Sequence, residues 1–418
     1  MKQDSSLLTP AHLPEKLAIC EWQWAWLSSA GPGEAYENLE SVMTGLRERA
    51  FNTVRLDAGL DFCFNLDGTP RGEMTFCQAI EGYCWNLRVI NGKGGRHDVL
   101  KRFLELMRLA KIYDIYVIMT SWEYMHSITQ VGEPGIRAEI EGIPEEERLL
   151  HLARQHDRLL RILKQNGLEK NIAYVEVHNE VDCSSFPKGE RSKPLHTEAI
   201  AFLRDAHPDI LIAGDFATQE FHIYPENTQL LDNHAYPEYR LHVGSLLKPT
   251  VMDPGFDPKA PMKTKLLRQL FRDDITSWDD FMEPAQNLES EGRRRRLWIN
   301  HNVDCDKYDR WLLERFAEWE PVARQEARKL YAADVEEASR RNIPVVMDEG
   351  GLFITPLGSR FDESERARNF MEFLADLAIE HGFWGWLTTT TNGPEQPIWY
   401  SHPEWLRSVN SRFLNSAD

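Results

Sequence analysis

The sequence has little cysteine, and its cysteines are not paired in spacing. Six are present among 418 residues, and none lies in a CxxC arrangement. Zinc ribbons and thioredoxin-type redox pairs use that spacing, so neither is indicated. We expect reduced thiols and no structural metal ion.

Long apolar runs and an excess of positive charge are also missing. No stretch approaches the roughly 18 apolar residues of a membrane-spanning helix, and the first residues do not form a basic segment followed by an apolar one. Lys and Arg total 48 against 66 for Asp and Glu, and the net charge of −18 would repel nucleic acid and anionic membranes. We expect a soluble, cytoplasmic protein with neither kind of partner; its oligomeric state is left open.

Motifs of several enzyme classes are absent. The sequence has no HxH or HExxH arrangement of metal ligands, no GxxxxGK[ST] phosphate loop and no GxSxG nucleophile elbow. It also has no glycine-rich dinucleotide fingerprint. We therefore expect no cofactor.

A regular alternation of strands and helices is present instead. Short apolar runs rich in β-branched and aromatic residues recur between long amphipathic stretches, which is typical of parallel βα units. We predict strands at residues 17–25, 52–57, 114–121, 172–179, 210–215, 231–236, 344–349 and 382–388. Eight strands alternating with helices favour an α/β fold, a (β/α)₈ TIM barrel, over a doubly wound sheet. We expect residues 1–418 to form one catalytic domain.

Two connections are too long for ordinary loops, and both follow predicted strands. Residues 58–96 come after the second strand, and residues 237–308 come after the sixth. Loops of this length in a compact domain usually carry function, and active sites of barrels lie where strands end. We predict that 237–308, together with the helical segment 309–319 that follows it, forms a cap in which Trp298 approaches the substrate while Trp311 or Phe316 packs on the barrel. A peripheral or oligomer-forming insertion is the alternative.

The segment Tyr174–Glu180 (YVEVHNE) places polar residues at the end of the fourth strand. Strand alternation puts Glu176, His178 and Glu180 on one side. A partly desolvated carboxyl at Glu180 could act as a general acid, with Asn179 binding a substrate hydroxyl. An isolated Asn-Glu pair would favour a solvated strand end instead.

The segment Ile343–Gly351 (IPVVMDEGG) leads an apolar run into two carboxylates and two glycines. An ionised Glu349 at this strand end could attack an electrophilic carbon, although a surface acid would look the same. Paired carboxyl groups facing each other across a small gap are what glycoside hydrolysis requires. We expect Glu180 and Glu349 to lie roughly 5 Å apart, the spacing of retaining enzymes.

Taken together, these segments resemble the cellulase-type glycoside hydrolases, family 5 and its relatives in clan A. The resemblance follows the order and spacing of motifs along nearly the whole chain. It implies that Glu180 is the acid/base and Glu349 the nucleophile. It further implies that Arg55 supports the nucleophile, that His234 and Tyr236 lie near the catalytic pair, and that Trp386 floors the sugar pocket.

The sequence departs from that family in three places. Val181 follows the acid/base position where Pro is usual, and Asp348 precedes the nucleophile position where Gly is common. The third strand ends in Thr120-Ser121-Trp122-Glu123 without the usual His. Because sugar rings stack on aromatic faces, we also expect Trp122 to contact the substrate.

The predicted function is retaining hydrolysis of short β-linked oligosaccharides or glycosides by an exo-acting enzyme. An endo-acting β-glucanase or mannanase, or a transglycosylase, would use the same residues. A carbohydrate-binding barrel without activity is the alternative from another class, although a pure binder has no need of both glutamates.

Overall fold

The computed structural model of the protein describes residues 9–76, 92, 94–128, 131–216, 218–236, 257, 259–285, 298–352 and 355–417. Its strands are β1 (Leu17–Gln23), β2 (Thr53–Asp57), β3 (Glu73–Phe76), β4 (Gly95–Asp98), β5 (Tyr116–Thr120), β6 (Ile172–Glu176), β7 (Ile212–Phe216), β8 (Leu231–Ala235), β9 (Val345–Gly350) and β10 (Gly385–Leu387). Eight of them form a closed parallel barrel in the order β1-β10-β9-β8-β7-β6-β5-β2. The predicted barrel and all eight of its predicted strands are confirmed.

Helices surround the barrel. They are α1 (Ala25–Ser28), α2 (Leu39–Glu48), α3 (Leu60–Cys63), α4 (Val99–Tyr113), α5 (Pro134–Glu141), α6 (Arg148–Gln165), α7 (Ser192–Ala206), α8 (Lys265–Leu270), α9 (Trp278–Ala285), α10 (Cys305–Arg341), α11 (Glu365–His381), α12 (Pro397–Ser401) and α13 (Pro403–Leu414). Among the described residues, none of these helices combines the length and apolar character needed to cross a membrane.

Short polar side chains begin several of these helices. Asp98 accepts a hydrogen bond from the backbone N–H of Lys101 at the start of α4, and Ser364 caps α11 in the same way. Such caps satisfy N–H groups that have no partner within the helix. The connection between β7 and β8 differs from the others, because its described residues form a 3₁₀ turn at Phe221–Ile223 and no α-helix.

The interior of the barrel changes from apolar to charged toward the ends of the strands. Leu17 and Ile19 on β1 belong to a buried apolar cluster, whereas Glu21, next on the same side of the strand, contacts Arg55. Parallel strands end at one edge of the barrel, so charged residues at successive strand ends face each other there.

The first long insertion contains an antiparallel pair that the sequence did not predict. Strands β3 and β4 pair from Glu73 opposite Asp98 to Phe76 opposite Gly95. Phe62 and Phe76 are both 1% exposed, and their rings meet edge to face at 5.6 Å. These rings stabilise the insertion and do not form an exposed wall for substrate. Residues 77–91 and 93 lie outside the described residues.

The described part of the second insertion forms a small helical unit with its own apolar contacts. Trp298 is fully buried, its Nε1 donates to the Thr276 carbonyl at 2.9 Å, and its ring packs on Phe271 and Trp278. The prediction that Trp298 approaches the substrate is therefore wrong, because the indole is used for packing. Residues 237–256, 258 and 286–297 lie outside the described residues, so a cap over the barrel stays a prediction.

Two other predicted packing residues of this region lie on α10. Phe316 is fully buried, and its ring meets Phe370 of α11 at 5.3 Å and Phe361 at 5.6 Å. Trp311 is partly buried and lies 5.9 Å from the Tyr308 ring. Phe316 therefore joins α10 to the helix layer around the barrel.

Asp57, at the end of β2, has an unusual protonation equilibrium for a carboxyl group. It is fully buried, accepts a hydrogen bond from the Gly59 N–H at 2.8 Å and accepts another from the Ser127 hydroxyl. Burial raises the pKa of Asp57 to about 7, although both hydrogen bonds oppose the increase. An unfolded Asp titrates near 3.9, so its stabilising contribution is complete below about pH 4 and is lost as the pH rises through 7.

We predict that Asp57→Asn becomes more stable relative to the parent protein as the pH rises. The difference in the free energy of unfolding should change by about 2 kcal/mol in favour of the variant between pH 5 and pH 8. Urea unfolding at several pH values measures this difference. Asp209→Asn, on the exposed surface, is the control and should give a difference that does not vary with pH. If the difference for Asp57→Asn also did not vary with pH, it would show that Asp57 is not protonated.

Candidate active site

Arg55 is the central residue at the C-terminal edge of the barrel. It extends from β2, is fully buried, and its guanidinium lies 4.7 Å from the centre of the Trp122 ring. Its contacts are Nε to Asp348 at 2.7 Å, Nη1 to Glu21 and Glu349 at 3.2 Å each, and Nη2 to Glu176 at 2.8 Å and Asn179 at 2.7 Å. All five N–H groups of the guanidinium are therefore used.

Glu349 lies near the end of β9 with both carboxyl oxygens held. Oε1 accepts a hydrogen bond from the Tyr236 hydroxyl at 2.8 Å, and Oε2 accepts one from Arg55 at 3.2 Å. The Tyr236 oxygen also lies 3.0 Å from the Thr390 hydroxyl. These contacts fix the orientation of the Glu349 carboxyl group while leaving 11% of its side chain exposed.

Glu180 lies beyond the strand that was predicted to carry it. Strand β6 ends at Glu176, three residues before the predicted end at 179, so Glu180 does not follow the strand directly. The backbone of Glu180 is left-handed, with φ 49° and ψ 56°, a conformation that costs a non-glycine residue energy. Such local strain is found where a side chain must point in a particular direction.

The turn after β6 also separates side chains that simple alternation would keep together. Glu176 faces Arg55 inside the barrel, but His178 is fully buried against the rings of Phe186 and Tyr124. The prediction that His178 shares a side with Glu176 and Glu180 is wrong, because the strand ends before it.

The Glu180 and Glu349 carboxyl groups face each other. An oxygen of one lies within 4.8 Å of an oxygen of the other. The Glu180 side chain is 18% exposed, so both groups can reach a molecule bound at the end of the barrel. Two carboxyl groups this close together can act on the same bond of a molecule bound between them.

His234, on β8, lies between the two glutamates. Its Nδ1 is 3.2 Å from Glu180 Oε1, and its Nε2 is 3.9 Å from Glu349 Oε2. Although burial alone would lower the pKa of His234, the carboxylates of Glu349 and Asp215 raise it well above the ordinary value. His234 therefore tends to carry a positive charge close to Glu180.

Asn179 is oriented from two sides. Its Oδ1 accepts a hydrogen bond from Arg55, and its backbone N–H donates to the Ser121 carbonyl at 2.9 Å. The predicted residues Arg55, Asn179, Glu180, His234, Tyr236 and Glu349 are thus brought together in one place.

Two predicted aromatic contacts are not at the barrel opening. Trp386 pairs in register with Met347, is fully buried and packs on Phe413 of α13 at 5.8 Å. It therefore points outward to the helix layer, and the prediction that it floors a sugar pocket is wrong. Trp122 is only 1% exposed, so it packs beside Arg55 and offers no free face to a sugar.

Several buried carboxyl groups of the site were not predicted as functional. Glu21 and Asp348 bind Arg55, and Asp215 and Asp232 lie near His234. Burial raises the pKa of Glu21 and of Asp232 well above ordinary values, whereas Arg55 overcomes the effect of burial on Asp348 and lowers its pKa. In the sequence, each of these carboxyl groups was visible as a charged residue at an inward-facing position of an otherwise apolar strand.

Two groups of side chains have donor atoms close enough together for a metal ion. They are Glu180, His234 and Glu349, and Asp232, His234 and Asp348. Each group contains a carboxylate that is already paired with Arg55. The fixed positive charge of Arg55 opposes a divalent cation there, because like charges at such distances repel strongly in a buried site.

Comparison with known proteins finds a match of part of the chain to one family model and solved structures with a similar fold. Residues 19–196 match a family model described as sugar-binding and cellulase-like, which confirms the predicted resemblance over the part that carries Arg55, Asn179 and Glu180. Among curated proteins, no sequence matches the chain.

Two solved structures with a similar fold are described as glycoside hydrolases. A protein from Parabacteroides distasonis, described provisionally as a glycoside hydrolase, has a TM-score of 0.65 at 16% identity, covering 96% of this chain and 94% of that one. A mutant family 5 mannosidase from Rhizomucor miehei, in complex with mannosyl-fructose, has a TM-score of 0.51 at 11% identity, covering 98% and 95%. The chain therefore has the fold of family 5 glycoside hydrolases.

We predict that Arg55→Lys destabilises the protein strongly. A lysine provides one ammonium group where the guanidinium contacts five side chains, so several buried acceptors would lose their partners. The free energy of unfolding should fall by about 3 kcal/mol or more, measured by urea unfolding. Arg161→Lys, in an exposed pair with Asp157, is the control and should change little. Equal effects of the two substitutions would contradict this role for Arg55.

Proposed function

We propose that the protein is a retaining β-glycoside hydrolase in which Glu349 is the nucleophile and Glu180 is the acid/base. The observation that carries this proposal is the approach of the two carboxyl groups to within 4.8 Å. Retaining enzymes place their carboxyl groups about 5 to 5.5 Å apart, whereas inverting enzymes need a wider gap for a water molecule.

The different surroundings of the two groups support the assignment of roles. Glu349 accepts hydrogen bonds at both oxygens from Tyr236 and Arg55, which orients a carboxylate for attack. Glu180 is less enclosed than Glu349. Among the described side chains, His234 is the one that forms a hydrogen bond with Glu180. A group that must exchange a proton with substrate and then with water requires that access.

In the first step, a Glu349 oxygen forms a bond to the anomeric carbon as the bond to the leaving oxygen breaks. The proton of the Glu180 carboxyl group passes to that oxygen, so the leaving group departs as a neutral alcohol. In the second step, the Glu180 carboxylate takes a proton from water, and the resulting hydroxide attacks the same carbon. Glu349 leaves as a carboxylate, and the sugar keeps its original configuration.

We further propose short β-linked oligosaccharides or glycosides as substrates, cleaved from one end. The two long insertions after β2 and β8 support a site closed on one side, because both extend from the edge of the barrel where Glu180 and Glu349 lie. The mannosidase of similar fold was solved with mannosyl-fructose, a two-sugar glycoside. We propose that Asn179 contacts a hydroxyl of the sugar that becomes attached to Glu349.

We predict that alanine substitutions separate the two catalytic roles. Glu349→Ala should abolish hydrolysis of a nitrophenyl β-glycoside, and azide should restore part of it by attacking the sugar directly, which gives a glycosyl azide of inverted configuration. Glu180→Ala should lose roughly 10²–10⁴-fold on glycosides with poor leaving groups and much less on dinitrophenyl glycosides, which need little protonation. Initial rates and NMR of the product measure these effects.

Glu404→Ala, on the exposed surface of α13, is the control for loss of a glutamate and should retain both activities. Equal losses for Glu180→Ala on both kinds of glycoside would contradict its acid role. Absence of hydrolysis by the parent protein on every glycoside, together with measurable sugar binding, would identify a binding protein instead.

We predict release of terminal sugars from short chains. A panel of nitrophenyl β-glycosides with gluco, galacto and manno configurations, together with β-linked oligosaccharides, defines the sugar and the direction of attack. Chromatography should show single sugars as the first products. Cleavage in the middle of a long oligosaccharide would identify an endo-acting glucanase or mannanase, and longer products at high substrate concentration would identify transglycosylation.

A further inference from the structure

His234 has different neighbours at its two ring nitrogens. Nδ1 faces Glu180 at 3.2 Å, whereas Nε2 faces the barrel interior. Around Nε2 lie Arg55 Nη2 at 3.4 Å, Asp215 Oδ1 at 3.5 Å, Asp348 Oδ1 at 3.7 Å and Glu349 Oε2 at 3.9 Å. Whether Nε2 carries a hydrogen bears on whether Nδ1 donates a hydrogen bond to Glu180 or accepts one from it.

Arg55 Nη2 lies within hydrogen-bonding distance of Nε2, at 3.4 Å, but it has closer acceptors. Its two hydrogens are donated to Glu176 at 2.8 Å and to Asn179 at 2.7 Å. The contact with Nε2 is therefore the weakest of the three, and a ring nitrogen without a hydrogen would gain little from it. The imidazole therefore carries its own hydrogen on Nε2, and that hydrogen requires a carboxylate acceptor.

Asp215 has the carboxylate nearest to Nε2. It lies on β7, is 1% exposed, and faces the interior in register with Asp232. Within the described part of the chain, neither of its oxygens forms a hydrogen bond, and its contact with Nε2 at 3.5 Å is that of an ion pair. Asp348, the next nearest, uses Oδ2 for Arg55 and for the Tyr174 hydroxyl, while its Oδ1 faces Nε2 at 3.7 Å. Asp215 is thus the carboxylate nearest to Nε2, and among the described residues its ion pair is with His234 alone.

We propose that Asp215 is a positioning residue that holds His234 through Nε2, so that Nδ1–H donates to Glu180 Oε1 and the acid proton remains on Oε2. This inference rests on the proposed function, because it assigns a role relative to the acid/base. A neutral ring with its hydrogen on Nε2 would instead present Nδ1 as an acceptor. The Glu180 proton would then be bound to His234 and would be less available to a leaving group.

The charges around His234 favour this arrangement over a neutral ring. The groups that face it from the surrounding strands are Glu21, Arg55, Glu176, Glu180, Asp215, Asp232, Asp348 and Glu349. Burial raises the pKa of Asp215, and the charge of His234 opposes that increase. Because Asp348 and Glu349 attract positive charge to the ring, the proton that the pair shares stays on His234.

The kinetic experiment uses Asp215→Asn, which keeps the shape and one acceptor oxygen but removes the charge. We expect kcat on an alkyl β-glycoside to fall at least 10-fold more than kcat on a dinitrophenyl β-glycoside. The alkaline limb of the plot of kcat against pH on the alkyl glycoside should move to lower pH by about one unit. Without the negative charge of Asp215, the His234 ring loses its proton more easily. A change confined to KM would contradict the proposal.

Glu123→Gln is the matched control. Glu123 is also fully buried and accepts a hydrogen bond from the Leu60 N–H at 2.7 Å, but it lies among Asp57 and Asp61 away from His234. Glu123→Gln should change neither the ratio of kcat on the two substrates nor the alkaline limb of the pH profile relative to the parent. Identical effects of Asp215→Asn and Glu123→Gln would show that Asp215 acts only on stability.

A second measurement does not depend on activity or on a folded Asp215 variant. The ¹⁵N chemical shifts of the His234 ring, assigned by their loss in His234→Gln, report which nitrogens carry hydrogen. In the parent we expect both to be protonated at pH 7.5, and a neutral ring would overturn the proposal. If the parent hydrolyses no glycoside but both nitrogens are protonated, the proposed function fails while the placement of His234 by Asp215 stands.

Discussion

One guanidinium group connects the strands that carry the two facing glutamates. Arg55 reaches β1 through Glu21, β6 through Glu176, and β9 through both Asp348 and Glu349. A buried cation is stable only when its surroundings replace the water that it loses, and here every N–H has an acceptor. The geometry of the site therefore depends on the whole set of contacts, since removal of one acceptor alters the position of the cation for the others.

The sequence allowed the barrel and the main polar residues of the site to be predicted, because strand order places strand ends at one edge. Trp386 was not placed correctly, since its direction depends on strand register, and Gly385 and Leu387 occupy the inward positions beside it. Asp215 could not be recognised, because one carboxylate on a short strand resembles any solvated residue. Only closure of the barrel shows that it faces His234.

Asp348 shows how a departure from a family pattern can be consistent with the same fold. The family that the sequence resembles implies a glycine at this position, which would leave the guanidinium without this partner. Here Asp348 binds Arg55 Nε and accepts a hydrogen bond from the Tyr174 hydroxyl at 2.7 Å. The extra negative charge is balanced locally, because burial keeps neighbouring acids such as Asp232 in the neutral form.

The left-handed backbone at Glu180 affects which substitutions this sequence can accumulate during evolution. A glutamate in that conformation is less stable than a glycine by about 1 kcal/mol, so mutation toward glycine or asparagine would improve folding. A lineage released from selection for chemistry would be expected to lose this side chain early, while the deeply buried partners of Arg55 persist because folding requires them. If Glu180 has the acid/base role that we propose, the glutamate at this strained turn is thus a more sensitive record of selection for catalysis than the charged interior beneath it.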